Sequence, residues 1–223
     1  MKPSFREDPM SQLPAVELLV NLGWEYLTPA EAMALRGGRR RAVVLEEVLR
    51  TKLRELNSFN YKGKTYPFGD AAIEGGIDAV VSVRDEGLVP TNHRLYDLLT
   101  LGKSTEQTAE GNPVNPQLRY FDWDHPENNA YQLCEEFEVE REGSHDILRP
   151  DIVLFVNGIP LGVIESKSPL IKDGIGVGIS QHIRNQKTDD IPRLFWYAQL
   201  LFSVNRDGGQ YGATGASPEF WSD

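Results

Sequence analysis

Apolar residues recur at helical spacing through the first half of the chain and give way to continuous apolar runs in the second. Residues 13–22 (Leu-Pro-Ala-Val-Glu-Leu-Leu-Val-Asn-Leu) read as a short helix stopped by Gly23, with Glu17 turned to one side. Over residues 41–56, Val44, Val48, Leu49, Leu53 and Leu56 follow the helical period. Two further helices are predicted over 68–83 and 91–100, the first weakened at Gly75-Gly76. Near Gln117 the period changes. Gln117–Trp123 and Tyr131–Val139 read as aromatic-rich strands separated by Asp-His-Pro-Glu-Asn-Asn, a turn composition. Asp151–Val156 and Ile159–Glu165 hinge on Asn157-Gly158, a strong hairpin signal. Both runs are apolar almost throughout, which predicts strands covered on both faces. A helix follows over 176–188, then Leu194–Val204 as another buried strand.

Helices first, then a mixed central sheet with a helix before its last long strand, describe an α/β domain. Its expected extent is residues 1–205, with a mainly helical part over 1–110 and the sheet over 111–205. The Gly- and Ser-rich stretch 206–223 reads as a linker. At 223 residues, 40% hydrophobic and 25% charged, the chain has enough apolar material for one substantial core. No apolar stretch approaches the ~18 residues of a membrane span, and Met1–Met10 lacks the apolar centre of a signal peptide. A single cysteine, Cys134, excludes an internal disulfide and a multi-cysteine zinc site. The expected compartment is the cytoplasm. A net charge of −10 argues against a stand-alone electrostatic grip on nucleic acid, although a protein held on DNA by partners can be acidic. The basic cluster of Arg36 and Arg39-Arg40-Arg41 fits a solvated helix start better than a phosphate contact.

The chemistry concentrates in Pro150-Asp151, then thirteen residues, then Glu165-Ser166-Lys167. Phosphodiester hydrolysis requires a nucleophilic water, neutralisation of charge on the phosphorane and protonation of the leaving oxygen. A hard divalent cation on two carboxylates serves the first two needs. Glu165 and Lys167 lie two apart on a strand and share a face, so the lysine can orient the water or stabilise the developing charge. The same spacing equally fits a turn aspartate and an exposed strand-end ion pair. Register limits the catalytic reading. With a strict two-residue turn at Asn157-Gly158, Asp151 would face Ile164 and Glu165 would point to the other side of the sheet. Shared metal binding therefore predicts a bulge or an odd-length loop between Val156 and Leu161.

The run from Arg149 to Pro169 closely resembles the nuclease core of type I restriction enzyme R subunits. The resemblance extends to Gly23-Trp24-Glu25-Tyr26, to the turn Asp122–Asn129 and to Ile191–Tyr197. It implies a restriction-endonuclease-like PD-(D/E)xK core with a mixed sheet flanked by helices. It also implies Asp151 and Glu165 as ligands of Mg2+ (Mn2+ substituting), Lys167 as the catalytic lysine and, more loosely, Glu17 as a further metal ligand. The family's usual Gln-x-x-x-Tyr motif matches Gln181 through Asn185, with Asn in place of Tyr. Gln181 is then expected near the DNA backbone. The implied function is cleavage of double-stranded DNA within a complex carrying methyltransferase and specificity subunits, driven by an ATP-dependent motor absent from this chain. Two alternatives stay open: a docking module derived from a nuclease that no longer cuts, and a nuclease of another DNA-processing system.

Other signals carry less. Leu101-Gly-Lys-Ser-Thr105 lacks the first glycine of a phosphate loop, Asp97 standing there. Gly174-Ile-Gly-Val-Gly178 lacks the third glycine of a dinucleotide fingerprint and reads as a flexible loop over the site. His93, His125, His145 and His182 show no metal-ligand spacing, and His182, beside Gln181, fits a surface residue better than a DNA contact. The aromatics at 195–196 and 220–221 fit core packing.

Overall fold

The computed structural model of the chain describes residues 12–223. Its helices are α1 (Gln12–Asn21), α2 (Pro29–Leu35), α3 (Glu46–Leu56), α4 (Asp70–Val81), α5 (Leu88–Leu101), α6 (Gly174–Asn185) and α7 (Pro192–Tyr197). The central sheet is built from β1 (Glu25–Leu27), β2 (Tyr131–Glu135), β3 (Ile152–Val156), β4 (Ile159–Ser166), β5 (Leu200–Asn205) and β6 (Gly208–Gly212). These lie side by side in chain order. The sheet is mixed: β1–β2 and β4–β5 are parallel, and β2–β3, β3–β4 and β5–β6 antiparallel. One face carries α1, whose Val16 packs with Leu133, Ile152, Leu154 and Ile164. The other face merges into the main core with Val153, Phe155, Val163, Leu201, Ile179 of α6, and Leu194 to Tyr197 of α7.

The hairpin that carries the candidate site is anchored at both ends. Asn157 and Gly158 have φ of 51° and 81°, the two positive values of a type I′ turn. Asn157 is fully buried and donates to Tyr120 C=O (2.9 Å) and Asn129 Oδ1 (2.8 Å), while Ala130 N–H donates to its Oδ1 (2.7 Å). This locks the hairpin tip into the Asp122–Asn129 turn, where Asp122 accepts from His125 N–H and Asn128 Nδ2. Gly158 C=O receives Leu45 N–H at 2.8 Å. A Cβ on Gly158 would lie 2.5 Å from Leu45 O and 3.0 Å from Leu49 N. Gly158→Ala is therefore expected to cost about 3 kcal/mol, left-handed backbone and backbone clash together. A lowered urea midpoint at unchanged slope checks this.

Several elements depart from the sequence pattern. Residues 41–45 precede α3 rather than join it: Val43, Val44 and Leu45 are all buried, and Leu45 N–H is taken by Gly158 C=O instead of a helical carbonyl. The strand expected over Gln117–Trp123 is only Gln117–Leu118, after which Tyr120 and Phe121 are core residues of the Asp122 turn. The strand expected over Tyr131–Val139 breaks after Glu135, where Glu136 takes φ 51°, and Val139–Glu140 pairs instead with Ile147–Leu148. Leu194–Val204 is not one strand. Pro192 opens α7, and only Leu200–Asn205 is extended. A run apolar on every side does not distinguish a buried helix turn from a buried strand.

The mainly helical part also holds β1 and the hairpins Ser58–Tyr61/Lys64–Pro67 and Gln107–Ala109/Asn112–Val114. The segment 206–223, expected as a linker, supplies β6, and Trp221 is buried against Gly212. Its glycines hid a strand that pairs through backbone rather than side chains. Among the described residues no helix is long and apolar enough to cross a membrane.

Candidate active site

The hairpin turn is a regular two-residue turn, and the register shift lies just beyond it. Val156 pairs with Ile159 and Phe155 with Pro160, but Leu154 pairs with Gly162, leaving Leu161 as a bulge. Leu161 C=O accepts Gln199 N–H at 2.8 Å, which fixes the extra residue in place. Beyond the bulge Ile152 faces Ile164, so Asp151, one residue earlier, comes opposite Glu165. The bulge thus brings both carboxylates to one side of the sheet.

Three groups converge there. Asp151 Oδ2 accepts Ser166 N–H at 2.7 Å and lies 3.4 Å from Lys167 Nζ. Lys167 Nζ also donates to Glu165 Oε2 at 3.1 Å. Glu165 is fully buried and its Oε1 has no partner among the described residues. Burial first, then the neighbouring Asp151 charge, raises the Glu165 pKa to about 8. Burial pulls the Lys167 pKa down, but Glu165 and Asp151 outweigh it and the net shift is upward. A cation is thus held between two acids, one of them resisting ionisation. A buried oxygen without a donor beside a second carboxylate suits a hard divalent cation. Among the described residues no three His, Cys, Asp or Glu gather into a metal group, so most of such an ion's shell would come from elsewhere.

Helix α6 roofs this site. It is a helix from Gly174 onward, where the sequence suggested a loop over 174–178; the N-cap Asp173 accepts Gly176 N–H at 3.3 Å. A Cβ on Gly174 would lie 3.2 Å from Lys167 Cβ, and one on Gly178 would lie 3.6 Å from Glu165 Cβ and 2.2 Å from Ser203 Oγ. Ser203, beside Glu165 on β5, donates to Ile175 C=O at 2.7 Å and pins the helix down. Glycines four apart on one helix face were the legible sign of this close approach. Ser203 had none.

The remaining candidates fall differently. Gln181 is half-buried on α6 and makes no side-chain hydrogen bond among the described residues. Asn185, in the place of the expected Tyr, is buried with its Oδ1 unpartnered. Glu17 is exposed on α1, which packs on the face of the sheet opposite Asp151 and Glu165. Gln12, Val16 and Leu19 turn inward, so the helical period turns Glu17 away, and it does not join the acid pair. The residue α1 does send to the site is Gln12, whose Nε2 donates to Asp151 C=O at 2.9 Å.

Arg36 is buried over the Phe137 ring with its guanidinium on Ala42 and Glu138 carbonyls. Arg39, Arg40 and Arg41 pair with Glu46, Glu138 and Glu140. Arg39, Arg40 and Arg41 are thereby each paired with a carboxylate.

His182, expected at the surface, is fully buried: Nε2 donates to Phe202 C=O at 3.0 Å and the ring lies 5.5 Å from that of Trp221. Burial lowers its pKa from 6.5 to about 4. A depressed folded-state pKa means the unfolded chain binds the proton first, so stability present above pH 6.5 is lost as the pH falls towards 4. At 1.36 kcal/mol per unit, this loss is on the order of 3 kcal/mol. His182→Gln is expected to flatten that part of the melting-temperature curve relative to the native chain.

Residues 4–220 match the family described as type I restriction enzyme R protein N terminus. The type I restriction enzyme HindI endonuclease subunit of Haemophilus influenzae is 30% identical over 202 residues, covering 88% of this chain and 18% of that protein. A Methanocaldococcus jannaschii protein provisionally named type I restriction enzyme MjaIXP endonuclease subunit is 30% identical over 119 residues, 53% of this chain and 11% of its own length. Another, provisionally named the MjaVIIP endonuclease subunit, is 40% identical over 80 residues, 36% of this chain and 7% of its own. The chain spans less than a fifth of the length of these relatives.

Proposed function

Because this chain belongs to the family of type I restriction enzyme R protein N termini, we propose that it is the Mg2+-dependent endonuclease domain of such a protein, of the PD-(D/E)xK kind. It hydrolyses double-stranded DNA after an ATP-driven motor elsewhere in the polypeptide has moved the DNA, within an assembly that includes methyltransferase and specificity subunits in the cytoplasm. The observation that carries the reading is the bulge at Leu161, which sets Asp151 opposite Glu165 with Lys167 between them.

Asp151 and Glu165 would hold the cation, Mn2+ serving in place of Mg2+. When bound, it supplies an acidified water and charge neutralisation at the phosphate. The chain's own residues do the rest. Ser166 N–H fixes the Asp151 carboxylate. Lys167 Nζ, beside both acids, would orient the attacking water and stabilise negative charge on phosphate oxygens. The buried site and its α6 roof keep bulk water from competing with these contacts.

The test is cutting of circular DNA by the assembled enzyme with Asp151, Glu165 or Lys167 replaced one at a time. Cutting is expected to vanish in all three while ATP hydrolysis persists. Loss of ATP hydrolysis in all three would count against separate roles. The docking-module reading draws on Asn185, which is buried and cannot reach a DNA backbone. Unchanged cutting in all three variants would favour it.

A further inference from the structure

We infer that Gln12 is a positioning residue for the metal site, acting from the opposite side of the sheet through the backbone of Asp151. The inference rests on the reading of Asp151 and Glu165 as a cation pair.

Asp151 lies just before β3, in a bend after Pro150, so its backbone is not clamped on both sides by a ladder. Its carbonyl instead takes two donors, Glu136 N–H at 3.1 Å and Gln12 Nε2 at 2.9 Å. Gln12 is 4% exposed, and no other side chain among the described residues bonds to that carbonyl. α1 reaches it from the face where Val16 packs on Leu133, Ile152, Leu154 and Ile164. The Asp151 carboxylate leaves on the other face towards Ser166 N–H and Lys167. Holding the carbonyl therefore sets the rotation of the whole residue, and with it the carboxylate's distance from Glu165. Partners that orient a ligand from behind contribute about tenfold to a hundredfold in metal affinity.

The experiment is Mn2+ titration of the chain by calorimetry, with folding followed separately by thermal denaturation. Gln12→Met keeps the length and removes the donor. It is expected to weaken Mn2+ binding about tenfold or more with the fold intact. Val16→Ala, on the same helix face, is expected to lower the melting temperature while leaving Mn2+ affinity within about twofold, since it removes packing without touching Asp151. Gln12→Ala removes the same donor and is expected to weaken Mn2+ binding to the same extent. This variant decides the matter should Gln12→Met fail to fold. Equal Mn2+ affinity in Gln12→Met and the native chain overturns the inference while sparing the cation pair. So does equal weakening by Val16→Ala, which would make α1 a structural support only. Mn2+ binding by the native chain that Asp151→Ala leaves unchanged overturns both the inference and the reading beneath it.

Discussion

Glu165→Gln is expected to abolish DNA cutting by the assembled enzyme while leaving this domain as stable as the native one, or more so. Glu165 is fully buried, and burial together with Asp151 holds it largely protonated near neutral pH. A glutamine has the same shape and is neutral, so the metal-free fold exchanges one uncharged group for another. Stability above the ordinary carboxylate range should therefore hold or rise, because the native acid loses stability as the pH climbs from about 4.5 towards 8 and the glutamine does not. On the proposed function, the same change removes an oxygen that would hold the cation. Metal stabilisation of the transition state amounts to several kcal/mol, about a thousandfold in rate. Paired measurements, melting temperature at pH 8 and cutting rate, separate the two effects. An unfolded Glu165→Gln would show the residue to be structural. Residual cutting within tenfold of native would remove Glu165 from the chemistry.

The second large effect is expected at Gly178. Replacing a helical glycine ordinarily stabilises a helix by up to about 1 kcal/mol. Here the sign reverses. A Cβ at this position would lie 2.2 Å from Ser203 Oγ and 3.1 Å from Ser203 Cβ. Ser203 could rotate only by giving up its bond to Ile175 C=O, and valine would collide even then. Gly178→Val is expected to cost about 3 kcal/mol, a melting point lower by roughly 6–12 °C for a domain of this size. Cutting should fall even below that temperature, because lifting α6 opens the roof over Glu165. A Gly178→Ala/Ser203→Ala cycle should show coupling of about 1 kcal/mol, since the serine oxygen is the colliding atom. Additive costs would mean that the two residues do not meet.

How far the sequence foretold this arrangement depended on what each segment's pattern encodes. The hairpin was legible because Asn157-Gly158 admits few turns. Counting residues from that turn showed that Asp151 and Glu165 could meet only through a shift of one, which Leu161 supplies. The family resemblance came from the same stretch, and Lys167 falls beside both acids. Glu17 was misplaced because the helix that bears it was legible but the face it turns to the sheet was not. His182 and Asn185 could have been read inward from the line Gly174, Gly178, His182, Asn185, which follows the helical period on the buried face of α6. The aromatic run 194–197 was illegible, since a segment buried on every side carries no period to read. β6 was hidden for the opposite reason: its sequence, Gly-Gly-Gln-Tyr-Gly, packs little and pairs by backbone alone.

The Leu161 bulge turns the spacing between the two acids into a question of odd and even. Alternation along a strand has a period of two, so a single residue gained or lost within the hairpin sends the carboxylates to opposite sides, whatever the residue's chemistry. Two residues gained, one on each strand, would leave them facing each other. Natural variation in this hairpin is therefore constrained first in parity and only then in composition. A relative with a longer or shorter connection between its aspartate and its Glu-x-Lys should have changed by an even number, or have acquired or lost a bulge in compensation.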